Sequence, residues 1–399
     1  VAWNDVFDSS YGRLVVAKVT ALGLLALFGW RHRRRIAERG DGFLKLAAAE
    51  LFVMAATIGL AVALSRTPTP VSDVVTSRAQ ELLGGSIPPA PTVGRLIWGW
   101  EPTGVALAVV GLGFALYVKG LLVLRRRGDA WPVGRTVSWM IGLALIAWAG
   151  LGGLSQYAHV MFSTHMVSHM VLSMVAPIFL VLAAPVTLAL RTLPGPRQPG
   201  EVSPRELLIS FLHSRFARIV THPVVGPALF VGSLYGLYFS PVFGRLMESH
   251  WGHAAMQLHF IAVGTLFFYV LVGIDPSPRA LPPIVRFGLL LVTIPFHAFF
   301  AIAVMSSKSV IAESYWTTID RPFRTDLLAD QNLGGGISWA MGEIPLVIVL
   351  GALFVQWIRS DRRDARRLDR AADRDADADL EAYNAYLRDL AEHGRRRDP

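Results

Sequence analysis

Residues 102–127 read PTGVALAVVGLGFALYVKGLLVLRRR, a long apolar block closed by Arg125, Arg126 and Arg127. A helix needs about 20 apolar residues to cross the hydrocarbon core of a bilayer, and this block has that length. The same unit, an apolar block ended by an Arg-rich or Pro-rich stretch, recurs along all 399 residues, which are 53% hydrophobic and only 17% charged. Mean hydropathy is positive, whereas a soluble domain usually carries about a quarter charged residues. The pattern predicts an all-α, polytopic integral membrane helix bundle.

Working outward from that block gives about nine transmembrane helices, at 11–30, 43–64, 102–124, 133–154, 165–190, 223–243, 252–273, 285–305 and 335–357. Every second loop is basic. Arg31, Arg33, Arg34 and Arg35 follow the first span, Arg125 to Arg127 the third, and Arg191, Arg197, Arg205, Arg215 and Arg218 the fifth. Arg279 and Arg286 follow the seventh, and Arg359, Arg362 and Arg363 the ninth. Cytoplasmic loops carry the excess of Lys and Arg, so the N-terminus is expected outside and the C-terminus in the cytoplasm. The same positions assign the net charge of +9 to membrane topology and membrane lipid rather than to nucleic acid.

Four segments result: a two-helix piece at 1–64, an extracytoplasmic Pro-rich linker at 65–101, a seven-helix domain at 102–357, and a charged tail at 358–399. The tail mixes Arg with Asp and Glu on helix-forming Ala and Leu, and reads as a solvated cytoplasmic helix held by i,i+4 ion pairs. The opening from Val1 shows no basic n-region or small-residue cleavage site, so no signal peptide is expected. That leaves open that the chain trails a longer protein.

Cysteine is absent, which excludes disulfides, thiolate metal sites, covalent c-type haem and iron–sulfur clusters. A transition metal would have to be held by His, Met or carboxylate. No nucleotide-binding glycine pattern lies in a strand–helix context, and no cytoplasmic segment is large enough to hydrolyse ATP. The run Gly334-Gly335-Gly336 at the mouth of the ninth span reads as a tight loop or close helix contact.

Ionisable residues inside a membrane are costly and mark function by default. The fifth span opens with His165-Met166-Val167-Ser168-His169-Met170, followed by Met174. On a helix His165 and His169 share a face, with Met166, Met170 and Met174 as the adjacent stripe and Met161 one turn earlier. Two imidazoles one turn apart can hold one metal ion, and neighbouring thioethers shift the preference towards Cu(I). The seventh span repeats the theme with His250, His253, Met256, Gln257 and His259; the eighth holds His297, and the ninth Met341 and Glu343.

At about 1.5 Å per residue, His259 lies ~10 Å below the outer end of its span, His297 and Glu343 ~12 Å, and His169 ~6 Å. Four helices thus offer ligand-type side chains in one thin layer, which argues for a shared site. Taken singly, a buried His is more often a packing residue and a Met core filler. His32, His213, His222 and His393 flank basic segments and read as solvated or capping residues. His159 and His250 are expected outside, where they can recruit metal only transiently. Lys18 and Glu50 fall within the first two spans without suggesting catalysis.

These pieces resemble a known family. Ser163-Thr164-His165-Met166-Val167-Ser168-His169-Met170, Ala176-Pro177, Ala184-Pro185, His222-Pro223, His259 with Gly264, Asp275-Pro276, and Asp330-Gln331 followed by the glycines, Trp339 and Gly342 together resemble the CtaG family of cytochrome c oxidase assembly factors. Tyr11-Gly12-Arg13-Leu14 with Lys18 and Glu50 resembles the C-terminal end of a CopD-type copper-resistance domain, so the whole is similar to an actinobacterial CopD–CtaG fusion. The sequence departs from the family pattern at Ser338, where Met is usual before the Trp.

The resemblance implies a multi-pass protein of the bacterial plasma membrane. It would be a non-enzymatic factor that delivers or stages copper for a haem–copper oxidase, with oxidase subunits and copper donor proteins as partners. On that reading His165, His169 and His259 are primary ligands, with Met166, Met170 and Met256 as soft ligands. His253 lies on the Met256 face, and His297 and Glu343 support or relay. The alternatives are a haem b-binding electron carrier, a copper permease and a purely structural scaffold.

Overall fold

The computed structural model describes residues 10–38, 53–54, 57, 59, 77–196, 202–278, 281–375 and 378–395. The chain divides into two compact units, Val1–Thr76 and Ser77–Pro399. The described part of the first is dominated by a helix over Ser10–Glu38, which covers the first expected span. The second expected span, 43–64, lies largely outside the described residues, as does Glu50.

The second unit is a multi-pass membrane helix bundle. Six of its helices are long and apolar enough to span a bilayer: α1 (Gly104–Arg127), α2 (Val133–Leu151), α3 (Phe162–Leu182), α5 (His250–Val272), α6 (Pro283–Ser306) and α7 (Leu327–Asp375). A shorter apolar helix, α4 (Val225–Tyr238), lies between α3 and α5. Each corresponds to one expected span. Helix α3 is the central one, because 72% of its apolar window is buried against 17% for α1. Large apolar side chains such as Leu112, Leu116, Val292, Phe299, Val347 and Ile348 remain exposed on the other helices. A soluble monomer rarely leaves so much apolar surface uncovered, but a bilayer solvates it.

Three features depart from the sequence reading. The fifth span, expected to run through 165–190, stops at Leu182. Ala184 adopts a left-handed conformation before Pro185, and a new helix runs Pro185–Thr192. Asp275 accepts from the Val186 and Thr187 N–H groups at 3.1 and 2.7 Å, capping that restart. The described part of the Pro-rich segment is folded: Ser77 and Gln80 form a capping box on the helix Arg78–Leu83, and Val93–Trp98 is helical too. Leu82 is buried in the main core of the bundle. Helix α7 is 49 residues long, far more than a bilayer needs, and carries the charged tail out of the bundle; Ala378–Arg395 is helical as well.

The bundle has two unlike ends. We call upper the end at which α3 begins. Here Glu101 pairs with Leu151, Tyr315 with His159, and Gln331 with Ser309. The lower end collects Arg125 to Arg127, Arg191, Arg286 and the arginines from Arg359 onward, with Arg127 donating to the Arg191 carbonyl at 2.7 Å.

Candidate metal centre

The upper end of α3 is fixed before any ligand is considered. The first N–H groups of a helix have no partner within it. Here Asp330, at the start of α7, accepts from Phe162 N–H at 2.8 Å and from the Ser163 hydroxyl. Arg321 donates to the same carboxylate at 3.0 Å, and both residues are buried. Burial lowers the Arg321 pKa while Asp330 opposes the shift. Thr164 completes the anchor by donating to the Tyr157 carbonyl at 2.6 Å. The first turn of α3 therefore has one seating on α7 and on the loop before it.

From that seating α3 presents His165 and His169 on one face, as their spacing requires, with ring centroids 4.0 Å apart. Helix α5 brings His253 to within 5.5 Å of the His165 ring and 6.2 Å of the His169 ring. One ring nitrogen from each of the three lies within 4.8 Å of the others. All three are at most 2% exposed. The Nδ1 of His165 is 3.2 Å from the Ala158 carbonyl oxygen, so that nitrogen carries the proton and donates. Its Nε2 then keeps a free lone pair. The Nδ1 of His169 is 2.9 Å from the Tyr238 hydroxyl, which can accept from it. The Nε2 atoms of His165, His169 and His253 have no hydrogen-bond partner.

A buried polar atom without a partner costs about 1–3 kcal/mol. Three such atoms, on imidazoles whose ring nitrogens cluster within 4.8 Å, are hard to explain as packing and easy to explain as donors left free for a ligand. Metal-bound imidazoles characteristically donate their other nitrogen to a carbonyl or similar acceptor, as His165 does and His169 can. Neutral imidazoles suit a transition-metal ion such as copper, and the rings of Phe243 and Phe260 lie 5.0 and 4.5 Å from those of His165 and His169. The residues present therefore fit copper.

Below the triad α3 widens into a π-turn at Val171–Val175, a feature common at functional sites. The Ser173 hydroxyl donates to the His169 carbonyl at 2.7 Å and satisfies it. A Cβ on Gly264 would lie 2.1 Å from the Ser173 carbonyl oxygen, so glycine is what lets α5 reach the backbone of α3 here. The backbone contact at Gly264 sits on the α5 face that carries His253, Gln257 and Phe260.

The expected ligand set needs one correction. His259 is exposed and its Nε2 bonds to Ser233 Oγ on α4 at 2.8 Å. It faces α4, away from the triad, since the six residues from His253 turn the helix about 600°, one full turn plus about 240°. His297 and Glu343 make a pair of their own, Nδ1 to Oε1 at 3.3 Å, with the imidazole lying over Gly342, where a Cβ would meet its Cε1 at 1.9 Å. Met166, Met170 and Met256 are buried in the main core cluster beside Met174. The thioether of Met170 accepts from Ser338 Oγ at 3.7 Å.

Several residues of the site were not singled out by sequence reasoning. Tyr238 carried no signal beyond being an aromatic near a helix end. The carboxylate anchor was visible only as the motif Asp330-Gln331, without a role. His159, read as exposed, is half-buried with its ring 4.0 Å from that of His253. Burial lowers its pKa, the Ser155 carbonyl at 3.0 Å from Nδ1 opposing that shift.

Family models match two parts of the chain. The model of the cytochrome c oxidase caa3 assembly factor family matches residues 115–360, and that of copper resistance protein D matches residues 1–64. Uncharacterized proteins of Mycobacterium bovis and Mycobacterium tuberculosis are each 44% identical over 316 residues, covering 77% of this chain and 47% of theirs. A Mycobacterium leprae protein is 42% identical over 313 residues with the same coverage. The chain thus spans about half the length of the curated relatives it matches. No solved structure matches.

Proposed function

Because the chain belongs to the cytochrome c oxidase caa3 assembly factor family, we propose that it serves oxidase assembly as a non-enzymatic copper carrier. Copper is the cargo, held by His165, His169 and His253 through Nε2. Met166, Met170 and Met256 supply a soft wall around it. The observation that carries this reading is a cluster of three buried imidazoles, ring nitrogens within 4.8 Å of one another and each with an unpaired Nε2. The match to copper resistance protein D over residues 1–64 supports the same metal.

The basic residues at the lower end support an orientation with that end in the cytoplasm. The triad would then open towards the outside, and loading there spares the ion a passage through hydrocarbon. On the same reading the N-terminus is outside, residues 1–64 form a CopD-like piece, 102–357 the carrier domain, and 358–399 a cytoplasmic tail. Oxidase subunits would receive the ion and copper donor proteins would supply it.

A haem b electron carrier is the competing reading. It needs axial histidines from two helices, whereas His165, His169 and His253 crowd together with ring centroids 4.0 to 6.2 Å apart, a spacing that suits three donors to one bare ion. The test is copper content and absorbance of the detergent-purified full chain after Cu(I) loading, for wild type and His165→Ala/His169→Ala. Bound copper lost in the double variant, with no Soret band, is the expected result. Copper retained by the folded variant overturns the triad assignment, and a native Soret band would promote the haem reading.

A further inference from the structure

The triad does not meet solvent directly. At the upper end a cavity of about 770 Å³ lies beside it, with His253 and Gln257 at the inner wall, His159 and His250 at the side, and Glu101 and Trp251 at the rim. His253 therefore belongs both to the triad and to the cavity wall. The imidazoles form a graded series. Ring centroids are 6.4 Å apart from His250 to His159, 4.0 Å from His159 to His253, 5.5 Å from His253 to His165, and 4.0 Å from His165 to His169. Burial rises along the same path: His250 is exposed, His159 half-buried, and the last three buried.

Of the outer two, His159 is oriented by a hydrogen bond of its ring. Nδ1 of His159 engages the Ser155 carbonyl at 3.0 Å, which leaves its Nε2 without that partner. The Tyr315 hydroxyl donates to the His159 carbonyl at 2.8 Å and fixes the backbone beneath it. His250 sits against Gly84, which is left-handed (φ +68°) and whose missing Cβ would lie 2.9 Å from His250 Nε2. The helix Arg78–Leu83 thus ends in the residue that makes room for this ring.

We propose that His159 and His250 form a second, outer Cu(I) site, a loading port from which the ion reaches the triad by ligand exchange through His253. The proposal rests on the triad being the copper site. In each exchange a bond from copper to the next imidazole forms as one to the previous imidazole breaks; no electron moves and the ion keeps its charge. A cation entering a dry pocket alone would lose its hydration with nothing in return, which is prohibitive. A series of imidazoles lets it trade water for nitrogen one ligand at a time.

The experiment uses the full chain in detergent under anaerobic conditions, with Cu(I) offered from a weak chelator and followed by stopped flow. Wild type is expected to bind a tight and a weaker equivalent. His159→Ala/His250→Ala should lose the weaker one and load the tight one about tenfold more slowly, within the range for groups that support a metal site. His250→Ala alone, at an exposed position, should show the same slowing and guards against misfolding of the double variant. Two equivalents and wild-type loading in these variants would overturn the port and leave the triad standing. Retention of the tight equivalent by His165→Ala/His169→Ala would instead overturn the triad, and with it the port as the route to that site.

Discussion

Two groups of intramembrane histidines lie on adjoining helices, and they differ in company rather than in kind. His165, His169 and His253 come from α3 and α5 and bring one ring nitrogen each to within 4.8 Å of the others, with no carboxylate among them. His297, on α6, meets a single carboxylate, that of Glu343 on α7, at 3.3 Å. Its Nε2 is unpaired as well, so an unpaired nitrogen is not by itself the mark of a ligand. Convergence is. The first group offers several neutral donors to one cation, whereas the second ties two helices together with one polar contact.

The widest separation of the two should come from deleting the first. His165→Ala/His169→Ala removes two of three donors and should abolish stoichiometric Cu(I) binding, while His259→Ala, outside both groups, should leave it intact. Equilibrium titration against a chromogenic chelator reads both. Equal losses in the two variants would mean that the triad is not a distinct site. Next in size is Tyr238→Phe, which deletes the hydroxyl 2.9 Å from His169 Nδ1. Groups that orient a metal-bound imidazole typically matter 10–100-fold in affinity. We expect a weakening in that range with unchanged stoichiometry, and an unaltered affinity would deprive Tyr238 of any role at the site.

Why the sequence pointed to the first group yet blurred it with the second has a physical answer. Spacing of four residues is a statement about one helix face, and it placed His165 and His169 together correctly. The face shared by His253, Met256 and Gln257 was legible in the same way. Depth along a helix, by contrast, carries no azimuth. His259 and His297 were expected in a common layer, and the structure turns one towards α4 and gives the other to Glu343. The six long apolar helices of the second unit were readable from block length. The π-turn at Val171–Val175 and the break at Ala184 were not, because both depend on partners far away in sequence, Gly264 and Asp275. The capping box at Ser77 lay hidden among prolines.

Glu343→Ala tests the second group. Hydrogen bonds between helices in membranes contribute about 0.6 kcal/mol on average and seldom more than about 1.7 kcal/mol. A small drop in thermal stability is expected, with copper stoichiometry unchanged. A loss of copper would instead join the two groups into one site and restore the shared layer inferred from depth.

The smallest effect is the most discriminating for the thioethers. Ser338, fully buried, spends its hydroxyl on the Met170 sulfur at 3.7 Å. If that sulfur also donates to copper, the two demands compete for its lone pairs. Ser338→Ala should then tighten copper, by no more than about twofold for a weak contact of ~0.5 kcal/mol. Met170→Leu keeps the volume, a kind of core swap that usually costs less than about 1.5 kcal/mol of stability, and should weaken copper without unfolding the chain. Opposite signs from the two substitutions would make Met170 a ligand. No change in copper affinity from either would leave it core filler, and the imidazoles would hold the ion alone.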